Sequence, residues 1–447
     1  MSESVRGTSD ALPQNWSVGS LGAVCQAGGG SIQTGPFGSQ LHADDYKEQG
    51  VPIITVEHLL DGRISHDNLP LVGKDDYRRL SRYKLITGDL VFSRVGAIDR
   101  CAYVSEKENG WLFSGRCLRV RTGKAESNPR FLAYLLNSWH QRQWILNHSV
   151  GSTMACLNTA ILSNVPVQLP PTEQQRKIAL ILTTVDELIE QTEALIAKYQ
   201  AIKQGMMHDL FTRGVHEHGQ LRATYEEAPE LYKQSELGWI PKEWETPTFD
   251  GITIADSPIC YGIVQPGEYV ESGVPVVAIY VLHSDFRGCH RSSQSIEAKY
   301  VRSRVRGGDV LLSVKGTTGR VDVVPTGFEG NISRDIARIR PRDGVSADFV
   351  RHMLESSRFQ RHLNNAIVGT TRAELSIGVL RGLCVVLPSF SEQRRISTSL
   401  QSIDARLRTE RNSHGKLCHQ KSGLMQELLT GKVSVKQDES EDSFAHV

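Results

Sequence analysis

The chain has 447 residues, 39% hydrophobic and 23% charged, with a formal net charge of +1. That is ordinary composition for two to four globular domains. No apolar run approaches the roughly 20 residues a bilayer needs, the polar stretch Met1 to Asp10 lacks the apolar core of a signal peptide, and a cytoplasmic protein is expected. Eight scattered cysteines include no Cys-x-x-Cys pair, which reads as reduced thiols rather than a structural zinc site; Cys289-His290, the nearest approach to a ligand cluster, reads as a loop pair.

The chain is one unit written twice. Trp16 pairs with Trp244 at an offset of 228, Gly50-Val51-Pro52 with Gly273-Val274-Pro275 at 223, and Gly88-Asp89 with Gly308-Asp309 at 220. From Phe131 and Phe349 onward the offset holds at 218, through Gly151/Gly369, Thr153/Thr371, Leu157/Leu375, Arg176/Arg394, Asp186/Asp404, Lys203/Lys421 and Thr212/Thr430. Insertions and deletions therefore fall in the front of each repeat, where loops tolerate them, while the back keeps its length. A variable front on a fixed back implies two readers on one frame.

In chain order, each repeat opens on Pro-x-x-Trp, at Pro13 to Trp16 and at Pro241 to Trp244. Short β-rich runs follow, predicting strands at 51–56 and 89–93 in the first copy and at 274–279 and 309–313 in the second. Frequent turns and β-branched residues predict a mixed, mainly β domain. One helical segment is expected at about 129–147 and another at about 347–365. Thr172 with Gln175, and Ser389 with Glu392, carry a capping-box pattern that starts a long helix in each copy.

The first long helix spans 173–213, with Ile178, Val185, Thr192, Tyr199 and Met206 at one heptad position. Ile181, Leu188, Leu195 and Ile202 fill the position three on, Leu182, Ile189 and Ile196 the one beside it, and Gly214 is the expected C-cap. In the second, Ile396, Leu400, Ile403, Leu407, Leu417, Leu424 and Leu428 keep the stripe. Glu410, Ser413, His414 and Gly415 interrupt it, and a glycine costs a helix interior about 1 kcal/mol. Fraying or a kink is therefore expected at 412–415 unless a partner covers it. The two helices are expected to close antiparallel, with Ile178, Leu182, Val185, Leu188 and Leu195 on the first and Ile396, Leu400, Ile403 and Leu407 on the second as the inter-helix packing positions.

The expected fold class is thus α+β: two mainly β domains and two long coiled-coil helices in a pseudo-twofold repeat. The divisions are a first domain at 1–170, a central helix at 171–213, a connector at 214–238 and a second domain at 239–388. A distal helix at 389–431 and an acidic tail at 432–447, expected to be disordered, complete the chain.

The net charge alone argues against a nucleic-acid binder, but its distribution argues for one. Residues 61–130 carry 14 Lys and Arg against 9 Asp and Glu, and 287–342 carry 12 against 5. The compensating acid lies in 215–250, with 8 acidic residues against 3 basic, and in the tail at Asp438, Glu439, Glu441 and Asp442. Basic patches at matching places in both repeats suit phosphate contacts, although a solvated charged face gives the same pattern.

Catalytic motifs are missing. The one Pro-Pro, Pro170-Pro171, ends a strand and lacks the context of a DNA methyltransferase motif. Gly110 to Arg116 lacks the spacing and the Lys-Ser/Thr of a phosphate-binding loop, and no zinc-protease or nucleophile-elbow pattern occurs. His216 and His218 alternate in the connector and read as solvated.

Leu12-Pro13-x-x-Trp16, Gly35-Pro36-Phe37-Gly38-Ser39, Gly-Asp-(aliphatic)2-x-Ser-x-x-Gly, Gly-x-Thr-x3-Leu and Glu-Gln-x-Arg leading into a coiled-coil helix stand in order. Together they resemble the specificity subunits of type I restriction-modification systems. The second opening, Ser235 to Trp244, is especially similar, and the resemblance covers 12–432. It implies a non-catalytic subunit with two target-recognition domains held apart by two helices, each domain reading one half of a split double-stranded DNA target. It further implies partners: two methyltransferase subunits using S-adenosylmethionine, and often two ATP- and Mg-dependent translocase-endonuclease subunits. This chain itself would bind no cofactor and no metal.

In the first domain the expected DNA contacts are the loop at Gly38 and Ser39, the cluster Arg78, Arg79, Arg82 and Lys84, and Arg94. In the second they are Tyr261 with Gln265, Arg291 with Ser292, Ser293 and Gln294, then Arg302, Arg304, Lys315 and Arg334. Arg82 and Lys84 occupy the places of Arg302 and Arg304, and a charge kept in two domains that read different sequences suits phosphate. Arg94 against Val314, and Val95 against Lys315, differ and suit base readout. The second copy has Tyr261-Gly262-Ile263-Val264-Gln265 where the first has Gly-Pro-Phe-Gly-Ser. Glu173 to Arg176 and Glu392 to Arg395 either contact partner subunits or cap and solvate the helix start. A structural adaptor whose β domains bind proteins is the alternative reading, and DNA affinity separates the two.

Overall fold

Leu90-Val91-Phe92 and Val310-Leu311-Leu312 are continuously apolar because each lies mid-sheet and is buried on both faces. Leu90 and Phe92 join Leu118, Val120 and Leu132 in one cluster, while Val91 joins Ile54, Ala102 and Phe113 in another. Val310 and Leu312 likewise share a cluster with Ala337, Ile339 and Phe349, and Leu311 one with Val277, Ile332 and Ile336. Each such buried side chain contributes roughly 1.5–3 kcal/mol.

The structure is a computed structural model that describes residues 13, 15–36, 40–124, 126–151, 155–284, 286–366 and 374–435. It divides into two units, Met1–Thr192 with Ser413–Val447, and Glu193–Asn412. In the first unit one antiparallel sheet has the order Gly29–Thr34, Cys117–Gly123, Leu90–Ser93, Cys101–Tyr103. A second runs Tyr46–Lys47, Leu71–Val72, Val51–Ile54, Leu112–Phe113, its last pair parallel. The second unit repeats this plan. One sheet is Cys260–Tyr261, Ile336–Ile339, Val310–Ser313, Val321–Val323; the other is His290–Ser292, Val274–Val277, Glu329–Ile332, Val305–Arg306, with Val274–Val277 parallel to Glu329–Ile332.

The Gly-Asp motif supplies a buried tie in each unit. Arg121 grips Asp89 with Nε and NH2 at 2.7 and 2.6 Å and donates to the Lys84 carbonyl at 3.1 Å. Arg340 grips Asp309 at 2.7 Å twice and donates to the Arg304 carbonyl at 3.2 Å. Such bidentate pairs fix geometry as well as charge.

Each expected single helical segment is two helices, Pro129–Leu136 and Trp139–His148, then Ala347–Glu355 and Ser357–Ala366. Ser138 and Ser356 are extended, with ψ of 153° and 141°. Ser356 satisfies both broken ends, its hydroxyl donating to the Met353 carbonyl at 2.7 Å and accepting from Phe359 N at 3.3 Å.

The long helices run Thr172–Thr212 and Phe390–Leu428. Gln175 is buried at the first start, its Oε1 accepting from Asn128 N at 2.8 Å and its Nε2 donating to the Pro170 carbonyl at 2.8 Å. Gln393 repeats this with Ser346 N and the Pro388 carbonyl, both at 2.9 Å. Within the first unit Lys421 Nζ meets Asp186 at 2.6 Å; within the second Lys203 Nζ meets Asp404 at 2.7 Å. The same two positions thus pair in both units with the repeats exchanged. Inside the second unit the helices run antiparallel, since Lys203 meets Asp404 while Val215, beyond the helix end, meets Glu392.

Ile178, Leu182, Ile396, Leu400, Ile403 and Leu407 are buried as expected, and Val185 is half-buried. Leu188 and Leu195 are not seam residues: they stand 43% and 39% exposed. Ile181 still packs on the first core, but a straight helix drifts about 20° per heptad, which carries the positions seven and fourteen residues on out of the seam. The distal helix is also unbroken through Gly415. The cost of one glycine is small beside the bonds of an uninterrupted 39-residue helix.

Gly214, at φ +65°, ends the central helix as expected, and an added Cβ there would strike Glu392 Oε1, Arg222 and Trp244 within 2.6 Å. Glu392 is the hub of this junction. It takes Arg222 NH2 at 3.1 Å, Val215 N at 2.8 Å and Trp244 Nε1 at 3.2 Å, all buried. Glu392→Ala leaves Arg222 with Glu243 alone as its carboxylate at 2.9 Å and leaves Val215 N and Trp244 Nε1 without their acceptor, at an expected cost of about 1–3 kcal/mol. Urea denaturation checks this; a midpoint indistinguishable from wild type would show that the hub is dispensable.

Burial alone would raise the Glu355 carboxyl, but its contact with His352 and the charges of Lys203 and Arg351 outweigh that and hold it at about 2, against 4.5 ordinarily. A depressed carboxyl stabilises the fold above 4.5 and loses that contribution as pH falls toward 2. Between about pH 6 and about pH 3 the wild type is expected to lose about 2 kcal/mol more than Glu355→Gln. Equal losses in denaturant titrations at the two pH values would rule the carboxyl out as the cause.

Candidate nucleic-acid interface

Among the described residues no cluster of His, Cys, Asp or Glu could hold a metal, and no helix is long and apolar enough to cross a membrane. The expected contact residues of each unit lie mostly on loops and short helices. In the first unit Gly38 and Ser39 lie outside the described residues, but both flanks of that loop are fixed. Gly35 N donates to the Cys117 carbonyl at 3.1 Å, and a Cβ on Gly35 would lie 2.1 Å from the Ser114 carbonyl, so only glycine permits this approach. On the far side Gln40 accepts from Arg79 NH1 at 2.5 Å and from the Tyr83 hydroxyl at 2.8 Å. The loop therefore starts beside Gly115-Arg116 and ends beside the basic turn that carries Arg79.

That turn comprises the helix Lys74–Arg79 and the 3-10 segment Ser81–Tyr83. Arg78 and Arg79 pair with Asp75 at 3.1 Å and Asp76 at 2.6 Å on the surface, where such bridges contribute little. Arg82 is exposed, and the Lys84 ammonium lies over the Tyr77 ring at 3.9 Å. Arg94 reaches the Gly115 carbonyl at 3.2 Å, and its N–H donates to the Arg116 carbonyl at 2.8 Å. Arg116 is exposed and lines a cleft of about 640 Å³ with Pro36, Thr55, Glu57, His58 and Asn68.

In the second unit Gly262 takes the place of Gly35: a Cβ there would lie 1.8 Å from the Ile332 carbonyl. Tyr261, 55% exposed, precedes Gly262, and Val264 and Gln265 follow and are exposed. Arg334 N donates to the Ile263 carbonyl at 3.0 Å, which brings Arg334 beside this segment. Lys315 pairs with Glu374 at 2.9 Å, and Arg334 lies 3.6 Å from Asp335. Arg302 is exposed on the 3-10 segment Ala298–Ser303, and Gln294 is exposed at the start of the helix Gln294–Glu297.

Three expected contacts are occupied inside the domain. Ser292 is fully buried with its hydroxyl on the Pro266 carbonyl at 2.7 Å, so it cannot touch DNA; the alternation of strand His290–Ser292 turns it inward. Arg291 is half-buried and donates to the Gly273 carbonyl at 2.8 Å. Arg304 spends Nε and NH2 on buried Glu297 at 2.7 Å each, and this guanidinium holds the Glu297 carboxyl below the usual range.

Sequence reasoning missed Arg119 and Arg338, buried at matching places in both units; burial pushes both guanidiniums below their ordinary range. Arg338 donates to the carbonyls of Arg302, Arg304 and Pro258 at 2.8, 3.0 and 2.9 Å, fixing the turn that displays Arg302. Their occurrence mid-strand in Cys117–Gly123 and Ile336–Ile339 was the available signal.

Two copies of one β-rich module, one in each unit, define a duplicated protein. The family model described as type I restriction modification DNA specificity domain matches residues 13–200 and 264–416, and the chain belongs to that family. It is 28% identical over 438 residues to a putative type I restriction enzyme MjaX specificity subunit of Methanocaldococcus jannaschii, covering 95% of each chain. It is 25% identical over 368 residues to the type I restriction enzyme EcoBI specificity subunit of Escherichia coli, covering 80% of this chain and 74% of that one. The crystal structure of a type I restriction-modification system S subunit from M. genitalium shares the fold at a TM-score of 0.58 and 13% identity, over 94% of this chain and 97% of that one.

Proposed function

We propose that this chain is the sequence-recognition subunit of a type I restriction-modification complex in the cytoplasm. Each β-rich domain reads one half of a split, asymmetric DNA target, and the two long helices set the spacing between the halves. The chain performs no chemistry and binds no cofactor. It recruits two methyltransferase subunits, which bring S-adenosylmethionine, and two translocase-endonuclease subunits, which bring ATP and Mg.

The observation that carries this reading is the contrast between the matched frame and the unmatched edges. Gln175 and Gln393, Asp89 and Asp309, and Arg119 and Arg338 recur at matched places, whereas Arg94-Val95 faces Val314-Lys315 across the repeat. A conserved scaffold with different reading edges supports two unlike half-sites. Base-resolution methylation mapping of host DNA with the gene intact and deleted tests it. Loss of one split, asymmetric motif on deletion is expected. Recovery of a palindrome would refute the asymmetry; loss of no motif would leave an orphan, a silenced subunit or a structural adaptor, among which co-purification of a methyltransferase partner decides.

Arg82 and Arg302, exposed at matched positions, are assigned to phosphates. Arg82→Ala is expected to weaken binding to all sequences alike and to lower the salt slope by about one. Binding titrations over a salt series check this, and a base-selective effect with an unchanged slope would contradict the assignment.

A further inference from the structure

We propose that Arg116 and Asp335 are a matched pair of specificity-determining residues, Arg116 reading a guanine in one half-site and Asp335 a cytosine in the other. This rests on the recognition function proposed above. The two residues hold one position in a common backbone frame. Arg94 N donates to the Arg116 carbonyl at 2.8 Å and Leu157 N to the Arg94 carbonyl at 2.8 Å. In the second unit Val314 N donates to the Asp335 carbonyl at 2.9 Å and Leu375 N to the Val314 carbonyl at 2.9 Å. Two residues earlier the frames agree again: Ser114 N donates to the Ile54 carbonyl at 2.9 Å, and Ser333 N to the Val277 carbonyl at 2.8 Å.

At this shared position the main chain serves the fold and the side chain does not. Among the described residues exposed Arg116 has no carboxylate partner and Asp335 has only Arg334 as an ion-pair partner, at 3.6 Å, with 38% of the Asp335 side chain exposed. A phosphate contact would keep a positive charge in both domains, because the DNA backbone carries the same charge at every base step. A charge that inverts at one register position therefore belongs to something that differs between the half-sites, and that is the base edge. Arginine matches the O6 and N7 acceptors of guanine, and a carboxylate accepts from the N4 amine of cytosine. The setting agrees with this, since Arg116 directly flanks Gly115 against which the Gly35 loop begins, and Arg334-Asp335 directly flanks the Tyr261–Gln265 segment.

The test is base-resolution methylation mapping in the native host carrying Arg116→Ala, Arg116→Gln or Asp335→Asn. Arg116→Ala is expected to relax one guanine-containing position of a single half-site, with discrimination there falling about tenfold or more. The other half-site, read by an untouched domain, should stay intact and so report a folded subunit. Asp335→Asn should relax one position of the opposite half-site only. An unchanged motif, or equal weakening of both half-sites, overturns the assignment while leaving the recognition function standing. Absence of any split motif from the wild-type host overturns both.

Discussion

Two lysines meet two aspartates on the long helices, and the register of those helices follows from it. Lys203 binds Asp404 and Lys421 binds Asp186, so identical positions of the two repeats make the same bridge twice, each lysine using the aspartate of the other copy. One added residue between Asp186 and Lys203 would turn everything beyond it by about 100° around the helix, and the bridge would be lost. That is a physical reason for the gap-free register from Phe131/Phe349 onward. The bridges are partly exposed, and such pairs contribute modestly to stability. Their service is to select one register among the several that a leucine-rich stripe permits.

The same economy separates frame from edge inside each domain. Frame residues spend their donors on the chain itself: Gln175 and Gln393 join the start of a long helix to the start of a shorter one, and Arg121 and Arg340 close the Gly-Asp turn. Removing one leaves a buried polar group unsatisfied, which costs about 1–3 kcal/mol, so these positions tolerate little change. Edge residues such as Arg82, Arg116 and Arg302 are exposed. Replacing them alters what the surface can bind and leaves the core alone.

Much of this was legible in the sequence because repetition supplies its own control. Two copies of Gly-Asp and of the capping start fixed the strands and the helix boundaries to within a few residues. What could not be read were choices made by packing. Periodicity placed Leu188 and Leu195 on an apolar stripe, but drift of the helix turned them outward. Ser292 looked like a polar neighbour of Arg291, yet strand alternation buried it. The breaks at Ser138 and Ser356 depend on a serine adopting an extended conformation that composition does not announce. Gln175 and Gln393 read as either partner contacts or capping, solvated residues, and only the neighbouring helix start explains their burial.

The net charge of +1 is compatible with an edge that binds DNA. At physiological salt a charge is felt over about 8 Å, so the acid of a connector or tail does not cancel a basic edge beyond that range. Individual cations nevertheless differ in what they already meet. Among the described residues Arg116 meets no carboxylate, whereas Lys315 and Arg334 are each drawn to one, Glu374 and Asp335. A cation that must leave a carboxylate to meet a phosphate gains less than one that is waiting unpaired. Both kinds of cation occur in each domain: Arg78 and Arg79 meet Asp75 and Asp76 in the first, while Arg302 stands exposed in the second. On the proposed function, both domains therefore contribute to the salt-sensitive attraction to DNA.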